Sequence, residues 1–173
     1  MHAEITLDRP YQPLLDWLAG LDIEYEIHEH EPAFTARATA SAEGVDPRTF
    51  AKVVAVATPD DRRVLVVLDA PDQVDLRKAR TVLDVRDVRL LSEPELKALA
   101  PDCELGAIPA VGSLFGLPTY ADYAVRDDFE ISFNAGSHRI SVRVERSSWE
   151  RACHVVYADL AADTEAGPAW ATS

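Results

Sequence analysis

At 173 residues, 47% of them hydrophobic, the chain is long enough for one domain with a sizeable core and too short for two ordinary ones. Its 17 basic and 30 acidic residues leave a formal charge of −13, which repels a phosphate backbone at long range and leaves nucleic-acid contact only to a local basic face, of which Arg77, Lys78 and Arg80 form the densest cluster. The start Met1-His2-Ala3-Glu4 lacks the basic and apolar run of a secretory signal, Cys103 and Cys153 have no C-x-x-C spacing, and no apolar run nears the roughly 20 residues that cross a bilayer, so a cytoplasmic protein without a membrane segment is expected.

The first periodic segment, residues 13–21, sets Leu14, Leu15, Leu18 and Leu21 at helical spacing with Trp17. Residues 24–28 alternate as a half-buried strand that Pro32 ends, and a helix is predicted over 35–43 with Thr35 as its N-cap and Gly44 beyond its end. Residues 50–58 and 63–69 are valine-rich, apolar on both faces and joined by Pro59-Asp60-Asp61-Arg62, which predicts a hairpin in the middle of a covered sheet. A helix over 75–83, a short strand over 88–91 and a capping box at Ser92-Glu93-Pro94-Glu95 follow.

Residues 101–118 hold three glycines and three prolines among scattered apolar residues, the pattern of a long structured loop and the first place to look for a site. Strands are predicted over 119–125, 129–133 and 138–144 as an antiparallel meander, the last two joined by a turn at Asn134-Ala135-Gly136-Ser137. A capping box at Ser147-Ser148-Trp149-Glu150 opens a last helix, and Val155-Val156-Tyr157 adds a strand. The expected organisation is one domain over 1–160, a mixed α/β fold around a curved, largely antiparallel central sheet with surrounding helices. Residues 161–173 read as a flexible tail in which Trp170 could dock.

Three features carry candidate chemistry. Lys52 shares its strand face with Phe50, Val54 and Val56, so its ammonium either snorkels out at the strand end or enters a cavity where it can hold an anion or a developing oxyanion. His138 falls on the apolar side of its strand with Ile140, Val142 and Val144, which suits a hydrogen-bonded core histidine or a site residue beside the Gly136 turn. The loop from Gly106 to Gly112 is neither a P-loop nor a dinucleotide fingerprint; it is a rigid turn or a place where backbone N–H groups approach a ligand. His28 and His30 could share a face with Glu26, but no third nitrogen or sulfur ligand is near, so no metal and no cofactor is expected. No G-x-S-x-G elbow and no cysteine motif marks a nucleophile.

Four stretches together carry a resemblance: His30-Glu31-Pro32-Ala33-Phe34-Thr35-Ala36, Phe50-Ala51-Lys52-Val53-Val54, Gly106-Ala107-Ile108-Pro109-Ala110-Val111-Gly112 and Ala135-Gly136-Ser137-His138. In order and spacing, over roughly residues 11 to 160, the chain resembles the YbaK/prolyl-tRNA-synthetase-associated editing domains. The resemblance implies a trans-acting aminoacyl-tRNA deacylase that hydrolyses the ester of a mischarged tRNA, its pocket taking the tRNA 3′ end. It implies Lys52 as substrate anchor, and Gly106 and Gly112 as backbone donors in the loop that shapes the amino-acid pocket with Ile108 and Pro109. Phe34, Thr35, Asp122, Gly136 and His138 fall on further substrate-binding positions of the family. The family is thought to let the substrate's ribose hydroxyl assist the attacking water, which fits the absence of a triad.

Ala107 and Ala110 replace glycine or polar residues of many relatives, and this short apolar lining implies a small amino acid. The charge of −13 implies a partner, a synthetase or an elongation factor, that supplies affinity for the nucleic acid. The rival expectation is a non-catalytic module that binds a small molecule or a protein on the same fold.

Overall fold

The computed structural model describes residues 8–31, 38, 40 and 47–163. The helix expected over 35–43 lies outside them apart from positions 38 and 40, both helical, as do Phe34, Thr35 and Trp170. In chain order the elements are α1 (Gln12–Gly20), β1 (Tyr25–Glu29), β2 (Ala51–Ala57), β3 (Arg63–Asp69), α2 (Leu76–Leu83), β4 (Arg89–Leu90), α3 (Glu93–Leu99), β5 (Thr119–Asp122), β6 (Glu130–Ser137), β7 (Ile140–Glu145), α4 (Arg146–Cys153) and β8 (Val156–Ala158). The fold is mixed α/β, with two sheets in place of a single one: β1-β7-β6, all antiparallel, and β4-β2-β3-β5-β8. A parallel bridge between Phe50 and Ser132 joins them at a corner.

The valine-rich hairpin is where its apolar faces require it, at the centre of the larger sheet. One face, Ala51, Val67 and Ala121, packs on the inner face of the smaller sheet, with Ile131, Phe133, Val142 and Val144, and on Leu14 and Leu18 of α1 and Trp149 of α4. The other, Val56, Val64, Val66 and Leu68, lies under Ala79 and Leu83 of α2. Trp149, Phe50 and Phe133 are wholly buried, each contributing roughly 1.5–3 kcal/mol through apolar burial. The ends of α2 and α3 follow their sequence signals. Asp75 accepts from the N–H groups of Arg77 and Lys78, and Ser92 and Glu95 exchange both bonds of a capping box.

Five expectations are corrected. The meander does not form: β5 ends at Asp122, passes into a short 3-10 helix over Tyr123–Asp127, and pairs in parallel with β3 and β8. The expected turn at Asn134-Ala135-Gly136-Ser137 is strand instead, and the chain reverses at His138 and Arg139, since Ser137 pairs with Ile140. A bulge between Asn134 and Ser137 absorbs the glycine, whose φ is +85°. The last helix starts one residue before the expected box: Glu145 is its N-cap, and Ser147 and Ser148 donate back to that carboxylate from inside the first turn. β1 is an edge strand with its side chains largely exposed, and Leu21 lies beyond the end of α1, 48% exposed.

Past 160 the first residues are anchored. Ala161 bridges Val74, and the Ala162 N–H donates to the Gln73 carbonyl at 2.7 Å.

Candidate active site

The site is built on the edge of β6 that faces away from β7. The bridge from Phe50 to Ser132 lays the start of β2 parallel to that edge, and Ala51 and Phe133, one residue on in each strand, both enter the main core. Lys52 and Asn134 therefore stand level on the opposite face. Two residues further along β6, about 7 Å at strand rise, the glycine-rich loop docks on the same edge. The Glu104 N–H donates to the Gly136 carbonyl at 2.8 Å, and the Gly136 N–H donates to the Ala107 carbonyl at 2.9 Å. Lys52, Asn134, Gly136 and the loop are thus arranged along one strand.

His138 fastens this junction. Its backbone N–H donates to Glu104 Oε2 at 3.0 Å, and its Nε2 lies 2.6 Å from the Leu105 carbonyl. A carbonyl only accepts, so Nε2 carries the proton of that bond. A β-carbon on Gly106, where φ is +83°, would lie 3.4 Å from His138 Cε1. Of the two sequence readings for His138, the hydrogen-bonded buried histidine describes what is seen, and it sits in the turn between β6 and β7, not on the face of β7.

The loop is held from below as well, because the indole N–H of Trp149 donates to the Ala110 carbonyl at 2.7 Å. Gly112 is consumed by packing. Its N–H donates to Thr119 Oγ1 at 2.9 Å, and a β-carbon there would lie 2.4 Å from the Leu117 carbonyl oxygen. Its N–H is therefore engaged within the fold. The N–H groups of Gly106, Ile108 and Ala110 have no hydrogen-bond partner among the described residues. Asp122 is likewise engaged: Oδ1 accepts from the Leu160 and Ala161 N–H groups at 2.9 and 2.8 Å, and Oδ2 from the Ala124 N–H at 3.0 Å. That carboxylate brackets the end of β5 to the C-terminal strand.

Lys52 is half-buried, and its ammonium donates to the carbonyl of Asp72. Burial pushes its pKa down, and the nearby Asp72 carboxylate opposes that shift. Acidic groups surround this end of the sheet. The buried Asp69 carboxyl is pushed up to about 8, first by burial and then by its hydrogen-bonded neighbour Asp128 and by Asp72, with Arg48 acting against them. That direction favours a proton shared between Asp69 and Asp128.

Elsewhere the candidates thin out. Burial pushes both thiols, Cys103 and Cys153, up to about 12, so neither presents a thiolate. Lys78, the middle of the basic cluster, is bound by Asp159, Asp163 and the Ala161 carbonyl. His28 meets Glu26 at 3.2 Å, and no cluster of three metal-ligating side chains is found among the described residues. No helix among them is long and apolar enough to cross a membrane. Sequence reasoning missed Asp69, Asp128, Glu104 and Asn134; an acid closing an otherwise apolar strand was the available signal for Asp69.

A family model described as aminoacyl-tRNA editing domain matches residues 30–152. No curated protein matches the chain. Among solved structures, a candidate trans-editing enzyme for prolyl-tRNA synthetase superposes with a TM-score of 0.76 at 20% identity, over 91% of this chain and 99% of that one. A hypothetical protein gives 0.79 at 16% identity, over 86% and 99%. A candidate signal-transduction protein from Marinobacter aquaeolei VT8 gives 0.70 at 17% identity, over 90% of this chain but 32% of its own length.

Proposed function

The chain belongs to the aminoacyl-tRNA editing domain family, and from that premise we propose that it is a trans-acting deacylase that hydrolyses the ester between a tRNA 3′ end and a wrongly attached small amino acid. The observation that carries this reading is the alignment of Lys52 and the glycine-rich loop along one edge of β6.

An aminoacyl ester is already activated, so the protein needs to position it, admit one water and stabilise the oxyanion. Lys52 anchors the terminal nucleotide or the ester oxygen. The unengaged N–H groups of Gly106, Ile108 and Ala110 are the donors for the tetrahedral oxyanion, with Gly112 holding the shape of the loop. Water adds to the carbonyl carbon, the carbon–oxygen bond to the ribose breaks, and the departing ribose oxygen takes up the proton. The family resemblance assigns help in that proton transfer to the neighbouring ribose hydroxyl. Neither raised thiol competes as a nucleophile.

Ala107 and Ala110 are both fully buried, and the short apolar lining that the resemblance assigns to them supports alanine, serine, cysteine or proline as the residue removed. One methylene in such a pocket is worth about 1–3 kcal/mol of discrimination. With a charge of −13 and Lys78 tied to two aspartates, affinity for the tRNA body comes from a partner in the cytoplasm, a synthetase or an elongation factor.

A second reading, a binding module without hydrolysis, is favoured by the same acidity. Following ester loss from tRNAs charged with alanine, serine, cysteine and proline, at low salt and enzyme excess, separates the two. Cleavage of one or a few of them is expected; intact esters throughout would leave the binding module as the better reading.

A further inference from the structure

Asn134 has no part in the family resemblance, yet it sits between Lys52 and Gly136 on the edge of β6. It is 7% exposed, and its side-chain oxygen is buried without a hydrogen-bond partner among the described residues. Leaving a buried acceptor unpaired costs about 1–3 kcal/mol, and native structures keep few such groups without a reason. The oxygen has no partner among the described residues although two hydroxyls share its face, Ser132, which accepts from Arg143 Nε at 3.2 Å, and Ser141, directly opposite on β7.

Resting on the deacylase reading, we propose that Asn134 is a substrate-positioning residue whose side-chain oxygen accepts a hydrogen bond from the α-ammonium of the aminoacyl ester. Donor strength selects that group over the ribose hydroxyl, because a charged N–H gives a neutral amide oxygen a stronger hydrogen bond than a neutral O–H does. The α-ammonium is the one cation an aminoacyl ester carries. A neutral amide oxygen accepts from it in a charge-assisted hydrogen bond.

The test is calorimetric titration of the full chain with two non-hydrolysable probes, 3′-alanylamino-3′-deoxyadenosine and its propionyl counterpart, which has hydrogen in place of the ammonium. The wild type is expected to favour the alanyl probe at least tenfold. Asn134→Ala is expected to lose that preference by weakening the alanyl probe alone, with its Tm unchanged or raised because the unpaired acceptor is gone. Asn134→Ser, which keeps an acceptor, recovers part of the preference and serves as the readout should Asn134→Ala not fold. Equal weakening of both probes, an unchanged preference, or no binding of either probe to the wild type would overturn the proposal. Ester hydrolysis that is indifferent to Asn134 removes this inference and leaves the deacylase reading standing. Asn134-dependent binding without hydrolysis does the reverse.

Discussion

Lys52→Met is expected to lower kcat/KM for ester hydrolysis by roughly 100- to 1000-fold, the range for loss of one preorganised electrostatic contact, while the protein stays folded. Methionine keeps an unbranched stem on the face of β2 that Lys52 shares with Val54 and removes the charge. The charge itself does little for the fold: burial already works against it, and its visible bond is to one backbone carbonyl. Tm and circular dichroism should therefore match the wild type. Single-turnover hydrolysis of the ester chosen from the tRNA panel checks the first half of this expectation. Undiminished hydrolysis would remove the anchoring role of Lys52.

The second large effect concerns stability. Asp69→Asn should stabilise the protein increasingly as pH rises from about 4 to about 8. The sign follows from linkage. The folded Asp69 carboxyl is raised from 3.8 to about 8, so the folded state holds a proton that the unfolded state releases across that window. Its contribution is complete below the unfolded value and is lost as pH climbs through the folded one. Asparagine mimics the protonated form, still donates to Asp128, and has no proton to lose. At pH 8 the gain should reach several kcal/mol, each raising Tm by about 2–4 °C for a chain of this size. Denaturation at pH 5 and pH 8 reads it directly; parallel pH profiles for the two proteins would show that the pair holds no proton.

The sequence made much of this fold legible, and where it did not the reasons are physical. The β2–β3 hairpin, the Ser92 capping box and α1 are encoded within a few residues, by double-sided valine runs, reciprocal side-chain bonds and the Leu14–Leu18 spacing. The placement of β5 is not local. Nothing within Thr119–Asp122 records that it returns parallel to β3 after an excursion through two helices. The Asn134-Ala135-Gly136-Ser137 segment carries turn residues, but pairing with β7 and the anchoring of Gly136 to Glu104 and Ala107 convert it to a bulged strand.

The candidate site was visible in the same uneven way. Lys52 stood out because a lysine in a two-faced apolar strand needs a destination, and its carbonyl contact at Asp72 supplies one at the strand end. The roles of Gly112 and Asp122 were not visible, because only the fold reveals that their polar groups are spent on Thr119 and on the chain after β8. Asp69 and Asp128 lie far apart in sequence and meet through the sheet, so no spacing rule joins them.

The location of the site along the β6 edge is tested most directly by amide chemical-shift mapping with 3′-alanylamino-3′-deoxyadenosine. The shifts are expected at Lys52, Gly106, Ile108, Asn134 and Gly136. Shifts confined to another surface, such as the groove lined by Tyr25, Phe129 and Arg143, with the β6 edge unmoved, would contradict it.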